Sequence, residues 1–321
     1  MSTRAALNSY HSNCLPLMPN KTIRSIYSPA YWPTWLGLGL LRMVNTLPFQ
    51  TQLSVGQLLG LILFTIAPKR RHIVYVNLKL CFAELDEPSL KKMVKQVFIE
   101  NGIGIIETAM AWWSSREAFR PRVTIEGKEY LKEALSEGRG VILLGAHFST
   151  LDLGGLLFSL FFPLHTMYRP HNNLLMDKVI TKGRLRSIDS MIDRSDFRSV
   201  LKALKRNEIV WYAPDQDFGP TNSVFAPFFG VPAATVPATA RLAKMSKSPV
   251  IMLSHHRTVD GQYILRVHQP VEPFPLEDDV ASATRINQEI EKGIRYEPTQ
   301  YMWVHRRFKT QPNRLKNSIY R

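Results

Sequence analysis

Residues 141–155 read Val-Ile-Leu-Leu-Gly-Ala-His-Phe-Ser-Thr-Leu-Asp-Leu-Gly-Gly, and this stretch decides the expected fold. The short apolar run 141–144 lies between glycines, which predicts a buried strand. From Ser149 onward, apolar residues recur at helical spacing, and Asp152 falls in the first turn of the expected helix. The sequence therefore predicts a strand, a turn that carries His147, and a helix.

His147 and Asp152 form the first candidate site. With His147 in the turn, we expect the Asp152 carboxylate to fold back towards the imidazole. A carboxylate on one ring nitrogen fixes the tautomer and leaves the other nitrogen free as a general base. The alternative is that Asp152 only caps the helix and His147 is an ordinary loop histidine, because a His-x4-Asp pattern is weak by itself.

Strand and helix patterns alternate after residue 122, which is typical of an α/β fold with a mainly parallel central sheet flanked by helices. In such sheets the ligand lies beyond the carboxyl ends of the strands. His147, Arg169 and Asp215 each come just after an expected strand, so we expect all three at one edge of the sheet. The expected strands are 123–127, 141–144, 164–168, 208–213, 249–255 and 263–268, the last two as a hairpin, and helices are expected within 70–113 and at 128–136, 149–156, 173–183, 196–205, 237–246 and 281–296.

Residues 28–68 carry only one charged side chain, Arg42. Two apolar stretches, 31–41 and 53–68, flank an Asn-Thr-Leu-Pro sequence, and neither reaches the roughly 20 residues that a spanning helix needs. A single tilted span, a hairpin turning near Pro48, or interfacial helices all fit this pattern, and a pair of buried core helices is the alternative. The basic residues that follow, 69–71, favour a cytoplasmic location for the rest of the chain.

The formal net charge of +15 is concentrated towards the two ends of the chain. No acidic residue precedes Glu84, and residues 306–321 contain basic but no acidic side chains. Such ends suit an anionic membrane surface, an acidic partner or nucleic acid. The expected organisation is a flexible basic lead (1–27), a membrane-anchoring segment (28–68), a main α/β domain (69–310) and a basic tail (311–321).

Motifs of several protein classes are absent from the sequence. It contains no phosphate-binding glycine loop and no Gly-x-Ser-x-Gly nucleophile elbow. Its two cysteines supply neither a disulfide framework nor a zinc ligand set. A nucleic-acid-binding protein would share the charge, but the aromatic residues lie in apolar runs rather than along a basic stripe. The remaining chemistry is a histidine base that acts on a hydroxyl or on water.

Longer strings resemble the late acyltransferases of lipid A biosynthesis, in the glycerolipid acyltransferase superfamily, and most of all their lauroyltransferase members. The resemblance runs from about residue 31 to 310, with one departure: enterobacterial lauroyltransferases have Glu where this chain has Asp152. Besides His147-x4-Asp152, it rests on Asn77-Leu-Lys-Leu-Cys-Phe82, Glu107-Thr-Ala-Met-Ala-Trp-Trp113, Tyr168-Arg-Pro170, Gly183-Arg-Leu-Arg-Ser187, Trp211-Tyr-Ala-Pro-Asp215, Asp217-Phe-Gly-Pro220 and Gln300-Tyr-Met-Trp-Val-His-Arg-Arg-Phe308.

The resemblance implies transfer of a fatty acyl chain, with laurate expected, from acyl carrier protein to a 3-hydroxyacyl chain of a Kdo-bearing lipid A precursor, Kdo2-lipid IVA. His147 would be the base, and Asp152 would orient the imidazole and stabilise the imidazolium. The expected substrate-binding residues are Arg169, Arg184, Arg186, Asp215, Glu107 and Asn77. A solvated surface role is the alternative for each arginine.

The resemblance also implies a place on the cytoplasmic face of the bacterial inner membrane, with no metal or cofactor. The acidic carrier protein, the anionic lipid precursor and the anionic membrane would be its partners, and no nucleic acid is expected. Two alternatives share the same dyad: a relative that adds a myristoyl or palmitoleoyl chain to lipid A, and a lysophosphatidate acyltransferase.

Overall fold

The computed structural model of the chain describes residues 26–312 and 319–320. The basic lead expected at 1–27 lies almost entirely outside the described residues, and so does most of the tail. The helices are α1 (Trp32–Val44), α2 (Phe49–Ile66), α3 (Pro68–Cys81), α4 (Glu87–Trp113), α5 (Lys128–Ser136), α6 (Leu151–Phe158), α7 (Leu174–Arg184), α8 (Phe197–Lys205), α9 (Ala238–Ser246) and α10 (Asp279–Tyr296). The strands are β1 (Val123–Glu126), β2 (Val141–Leu144), β3 (His165–Tyr168), β4 (Ser190–Asp193), β5 (Ile209–Tyr212), β6 (Val224–Phe228), β7 (Val231–Thr235), β8 (Val250–Arg257) and β9 (Tyr263–Pro270).

Seven of these strands form one sheet in the order β1-β9-β8-β2-β5-β3-β4. Every neighbouring pair is parallel except β8 and β9, which are antiparallel. The expected α/β class, its mainly parallel sheet and the late hairpin are confirmed. Because β2, β5 and β3 are neighbours that run the same way, the residues that follow them meet at one edge of the sheet.

The central strand β2 is buried on both faces, because successive side chains of a strand point to opposite sides. Val141 and Leu143 pack in the core that includes α5, α6 and α7. Ile142 and Leu144 pack in the core that includes α8, α9 and α10. An all-apolar run is what a central parallel strand between two helical layers requires.

Helix α2 follows a turn at residues 45–48, and it packs closely on α4. A Cβ on Gly102 would lie 2.3 Å from the backbone nitrogen of Gly60, so glycine is needed for the two backbones to touch. Among the described residues, α2 is the one helix that is long and apolar enough to cross a membrane. Length and composition alone are weak evidence for a span, since core helices pass the same test.

Two pieces of the sheet structure were not expected from the sequence. β4 is a short edge strand, Ser-Met-Ile-Asp, without a clear apolar alternation. β6 and β7 form a separate antiparallel hairpin. Its turn residues Phe229 and Gly230 both have positive φ, 50° and 76°, and phenylalanine is an unusual residue for the first of these positions.

Candidate active site

His147 lies in the loop that joins β2 to α6, and contacts with neighbouring elements fix the path of this loop. A Cβ on Gly145 would lie 2.2 Å from the indole Nε1 of Trp211, so only glycine lets the chain pass the indole ring. The backbone N–H of Met302 donates to the His147 carbonyl at 2.9 Å. The imidazole therefore projects from a loop that is held on both sides.

Asp215 is the carboxylate that contacts His147. It follows β5, the neighbour of β2, and its Oδ1 lies 2.6 Å from the imidazole Nδ1. Its Oδ2 accepts the His147 backbone N–H at 2.9 Å and the Tyr301 hydroxyl at 2.9 Å. Asp215 is 1% exposed, whereas the His147 side chain is 26% exposed. The carboxylate is thus internal, and the imidazole reaches the surface.

The electrostatics of this pair fix the tautomer of the imidazole. Burial opposes ionisation of Asp215, but the His147 charge and the hydrogen bonds from His147 and Tyr301 lower its pKa to about 2. A carboxylate only accepts hydrogen bonds, so Nδ1 carries the proton and Nε2 is the basic nitrogen of the neutral ring. Burial alone would lower the pKa of His147, but the charge and hydrogen bond of Asp215 outweigh burial and raise it.

Asp152 does not contact His147, which corrects the expected dyad geometry. Its carboxylate accepts two hydrogen bonds from Arg184, from Nε at 2.6 Å and from Nη2 at 3.1 Å. A third, long contact of 3.4 Å joins its Oδ1 to the indole N–H of Trp112. The physical reason is that Asp152 lies within the first turn of α6 and faces α4 and α7, whereas Asp215 leaves a neighbouring strand beside His147. Asp152 is not the capping residue of α6 either, since the N-cap position is Thr150.

Asp152 and Arg184 line a cavity whose other walls are mainly apolar. Arg184 also acts on the imidazole, since its charge lowers the pKa of His147 against the stronger effect of Asp215. The wall of this cavity thus contains an ion pair, one member of which acts electrostatically on His147. The remaining lining residues are Ala111, Trp112, Leu151, Gly154, Gly155, Leu156, Leu164, Thr166, Met167, Ser187, Ile188, Trp211, Leu253 and His255.

The other two arginines expected to bind substrate lie at the surface. Arg169 follows β3 at the edge of the sheet that carries His147, and it is exposed. Its guanidinium makes no hydrogen bond or ion pair with the residues that the structure describes. Arg186 is exposed too, but its Nη1 donates to the carbonyl of Trp112 at 2.6 Å, in the last turn of α4. Arg169 is thus free to meet a ligand, whereas Arg186 is partly engaged in holding the end of α4.

Asn77, one of the residues expected to bind substrate, is fully buried, and its contacts are with other parts of the fold. Its Nδ2 donates to the carbonyls of Trp303 and His305, both at 2.7 Å. Its Oδ1 accepts the Tyr320 hydroxyl at 2.6 Å. With donors and acceptor engaged inside the fold, Asn77 holds the segment after residue 300 against α3.

Glu107 is likewise fully buried, and the structure gives it internal partners in place of the expected substrate. Its Oε1 accepts from Arg257 Nε at 3.0 Å and from the Tyr263 hydroxyl at 2.8 Å. Arg257 also contacts Glu100, so one guanidinium joins two carboxylates of α4 to the sheet. Asp215, which was also expected to bind substrate, is buried as well, and its side-chain contacts are with His147 and Tyr301.

Sequence reasoning missed the functional contacts of Tyr301 and Arg257. Tyr301 lies in a string that was noted for its family resemblance, but no role was predicted for the residue. Its hydroxyl contacts Asp215, which is 86 positions away in the sequence, so no local pattern indicates the contact. Arg257 ends β8, beyond the expected end of that strand at residue 255. A basic residue at the end of an otherwise buried strand was the available signal. Within 26–312 and 319–320, no group of three His, Cys, Asp or Glu side chains is arranged to hold a metal ion.

Comparisons with known proteins identify the family. Residues 20–310 match the family model described as bacterial lipid A biosynthesis acyltransferase. The chain is 43% identical over 291 residues to the lipid A biosynthesis lauroyltransferase of Escherichia coli (strain K12), covering 90% of this chain and 95% of that protein. It is 39% identical to the palmitoleoyltransferase of the same strain (91% and 96% covered) and 27% identical to the myristoyltransferase (89% and 90% covered). The chain therefore belongs to the bacterial lipid A biosynthesis acyltransferase family and is an acyltransferase.

Proposed function

We propose that this protein transfers a lauroyl chain from acyl carrier protein to the hydroxyl of a 3-hydroxyacyl chain on Kdo2-lipid IVA. The observation that carries this proposal is the His147 imidazole, whose Nδ1 is held by a buried carboxylate and whose Nε2 is basic. In an acyltransferase, a base of this kind has a direct use: it activates the acceptor hydroxyl.

The proposed reaction is a direct transfer between the two substrates. The acceptor hydroxyl gives its proton to Nε2 of His147 while its oxygen attacks the thioester carbonyl carbon. The new C–O bond forms, the C–S bond breaks, and the imidazolium returns the proton to the departing carrier thiolate. Asp215 stabilises the imidazolium through the hydrogen bond to Nδ1 and remains ionised throughout, as its low pKa requires.

Asp152 and Arg184 support the reaction from the neighbouring cavity. The apolar walls of this cavity suit a short part of an alkyl chain, because its volume is about 50 Å³ and burying each methylene is worth about 0.8 kcal/mol. The bidentate pair keeps Arg184 at a fixed position beside the apolar walls. Its remaining N–H groups would stabilise the oxyanion of the thioester carbonyl, and Asp152 would then act in catalysis through Arg184.

The acceptor's phosphates and carboxylates would be bound by the exposed arginines Arg169 and Arg186. Arg169 is the strongest candidate, because its guanidinium is exposed beside the strand ends. Guanidinium groups bind phosphate and carboxylate in bidentate fashion. Arg186 would contribute through the donors that its contact with Trp112 leaves unused.

The membrane location forms part of the same proposal. Residues 28–68 would anchor the protein at the inner membrane, with the acyltransferase domain 69–310 on the cytoplasmic face, where the basic residues 69–71 lie. α1 and α2 carry large exposed apolar side chains, which suit a lipid surface. These are Trp32, Trp35, Leu36, Leu40, Met43, Leu58, Leu61, Ile62 and Ile66.

One experiment tests both the donor and the acceptor. The purified full chain is incubated with Kdo2-lipid IVA and a panel of carrier proteins loaded with acyl chains of different length, and products are read by mass spectrometry. We expect one lauroyl group to be added in preference to the other chains. A preference for the palmitoleoyl carrier would favour the second candidate, since the palmitoleoyltransferase is nearly as similar. Transfer from acyl-coenzyme A to lysophosphatidate alone would contradict the proposal.

A further inference from the structure

Residues 300–302 form a short strap across the His147 loop. The Ser149 N–H donates to the Gln300 carbonyl at 2.7 Å, and the Met302 N–H donates to the His147 carbonyl at 2.9 Å. These two bonds flank Tyr301, which forms an isolated β-bridge with Phe148. The strap therefore follows the backbone of the loop that carries the base.

Contacts on both sides of Tyr301 hold the strap in place. The Gln300 side chain accepts the Arg257 backbone N–H at 2.8 Å and donates to the Arg257 carbonyl at 2.7 Å. On the other side, the Trp303 indole N–H donates to the Pro298 carbonyl at 2.8 Å. Tyr301 thus lies on a backbone that has little freedom to move away from the site.

The hydroxyl of Tyr301 donates a hydrogen bond to Asp215 Oδ2 at 2.9 Å. The tyrosine is only 4% exposed, and its ring lies edge-on to Trp303 and Phe148. Asp215 therefore has two donors from the His147 residue and one from elsewhere in the chain. Tyr301 is the contact that ties the carboxylate to a part of the fold other than its own catalytic partner.

We propose that Tyr301 is a positioning residue: its hydroxyl fixes the Asp215 carboxylate and draws off part of its negative charge, and so limits how tightly His147 holds its proton. This deepens the proposed function, on which its catalytic meaning rests. A base for acyl transfer must take a proton and then give it up, so a carboxylate that attracted the imidazolium too strongly would hold the base in its protonated form.

The sign of the effect follows from the hydrogen bond. Without the Tyr301 hydroxyl, Asp215 concentrates its charge on the imidazole, which favours the protonated ring, so the pKa of His147 rises. The other groups that act electrostatically on His147 or Asp215 stay in place. They are Arg184 at the end of α7, His305 and Arg307 after the strap, and Tyr212 in β5.

Tyr263 supplies a matched control. Like Tyr301 it is a buried tyrosine, 2% exposed, that donates to a buried carboxylate, here Glu107 at 2.8 Å. Glu107 contacts Arg257 rather than His147. Tyr301→Phe and Tyr263→Phe thus remove the same chemical group from similar surroundings, and only the first touches the His147 pair.

The test is the titration of His147 by NMR in the full chain, labelled at histidine and held in detergent micelles, with His147→Gln identifying the resonance. We expect Tyr301→Phe to raise the pKa of His147 by about half a pH unit or more, and Tyr263→Phe to leave it at the wild-type value. Equal pKa values in wild type and Tyr301→Phe would overturn the inference, as would an equal shift in both variants.

Acyl transfer is measured separately, so that failure of the inference differs from failure of the proposed function. If wild type transfers laurate, Tyr301→Phe should lower kcat on the order of 10-fold with KM little changed, and its acid limb should move to higher pH with the NMR value. If wild type transfers no acyl chain but the NMR shift appears, the positioning role stands and the proposed substrates are wrong.

Discussion

At the residue scale, the two aspartates of the site, Asp215 and Asp152, have different surroundings and different partners. Asp215 is buried against the imidazole, and its pKa, lowered to about 2, keeps the carboxylate ionised at neutral pH. The Asp152 carboxylate forms an ion pair with Arg184 in the wall of the cavity. The aspartate of the His-x4-Asp pattern is thus the partner of a cation, Arg184, rather than the carboxylate that contacts the imidazole.

Replacing Asp215 by Asn tests the first of these roles. The amide removes the charge that raises the pKa of His147, so that pKa should fall, and it no longer enforces the proton on Nδ1. We expect transfer to fall by about 10²–10⁴-fold. The activity of the wild type should be lost as pH falls through the raised pKa of His147, because protonation removes the base.

The pH profile of acyl transfer, compared between wild type and Asp215→Asn, is the measurement. The acid limb of the residual activity should lie at lower pH in the variant, since a neutral side chain no longer favours the imidazolium. Circular dichroism serves as the control for folding. A variant with wild-type rate would show that the contact at 2.6 Å has no catalytic use.

Asp152 and Arg184 should behave as a unit. Their side chains are 11% and 26% exposed, so breaking the pair leaves a partly buried charge and should cost about 1–3 kcal/mol of stability. We expect Asp152→Asn and Arg184→Met each to lose most of the transfer activity and the double variant to be little worse than either. Additive losses, measured as kcat/KM with the same donor and acceptor, would mean that the two side chains act independently.

At the element scale, the sequence predicted the individual strands and helices better than it predicted which of them are adjacent in the fold. The strand–turn–helix around His147, the five other expected strands and the late hairpin are present, because apolar runs, glycines and alternation report local structure directly. That His147 pairs with Asp215 depends on β5 lying beside β2, and strand order is not encoded in any local pattern. The motif position Asp215 was therefore identified, but its partner was not.

The contact between α2 and α4 is another pairing of elements that local sequence patterns do not reveal, and it can be tested. Gly102→Ala would place a Cβ 2.3 Å from Gly60 backbone, so the helices must separate, at a cost of about 1–3 kcal/mol. Gly39→Ala is the control, because its Cβ would meet nothing within 4 Å and alanine favours the helix. Thermal unfolding in detergent should show a lower Tm for Gly102→Ala than for wild type. The Tm of Gly39→Ala should not be lowered. Equal Tm values for Gly102→Ala and wild type would mean that the helices are not in this contact.

At the scale of the whole molecule, the exposed apolar side chains of α1 and α2 are the features on which the proposed membrane anchor rests. Removing α2 would expose the face of α4 that it covers, so surface substitutions test the anchor better than a deletion. Leu58→Ser with Ile62→Ser changes side chains that are 58% and 46% exposed and leaves the α4 contact alone. We expect this variant to shift from the membrane fraction towards the soluble fraction in cell fractionation.

A matched pair on the main domain serves as the control for that experiment. Met245→Ser with Val259→Ser removes apolar side chains that are 64% and 106% exposed but lie outside residues 28–68. Its distribution between membrane and soluble fractions should equal that of wild type. If both double variants moved equally, or neither did, the anchor would not reside in α2.

The central claim is that His147 is the base of an acyl transfer to lipid A precursor, and His147→Ala tests it most directly. Wild type and variant are compared by the initial rate at which lauroyl carrier protein acylates Kdo2-lipid IVA, read as product mass. We predict that His147→Ala retains fold and membrane fraction but loses about 10²–10⁴-fold in rate. A His147→Ala protein that forms the lauroylated product at the wild-type rate would contradict the mechanism.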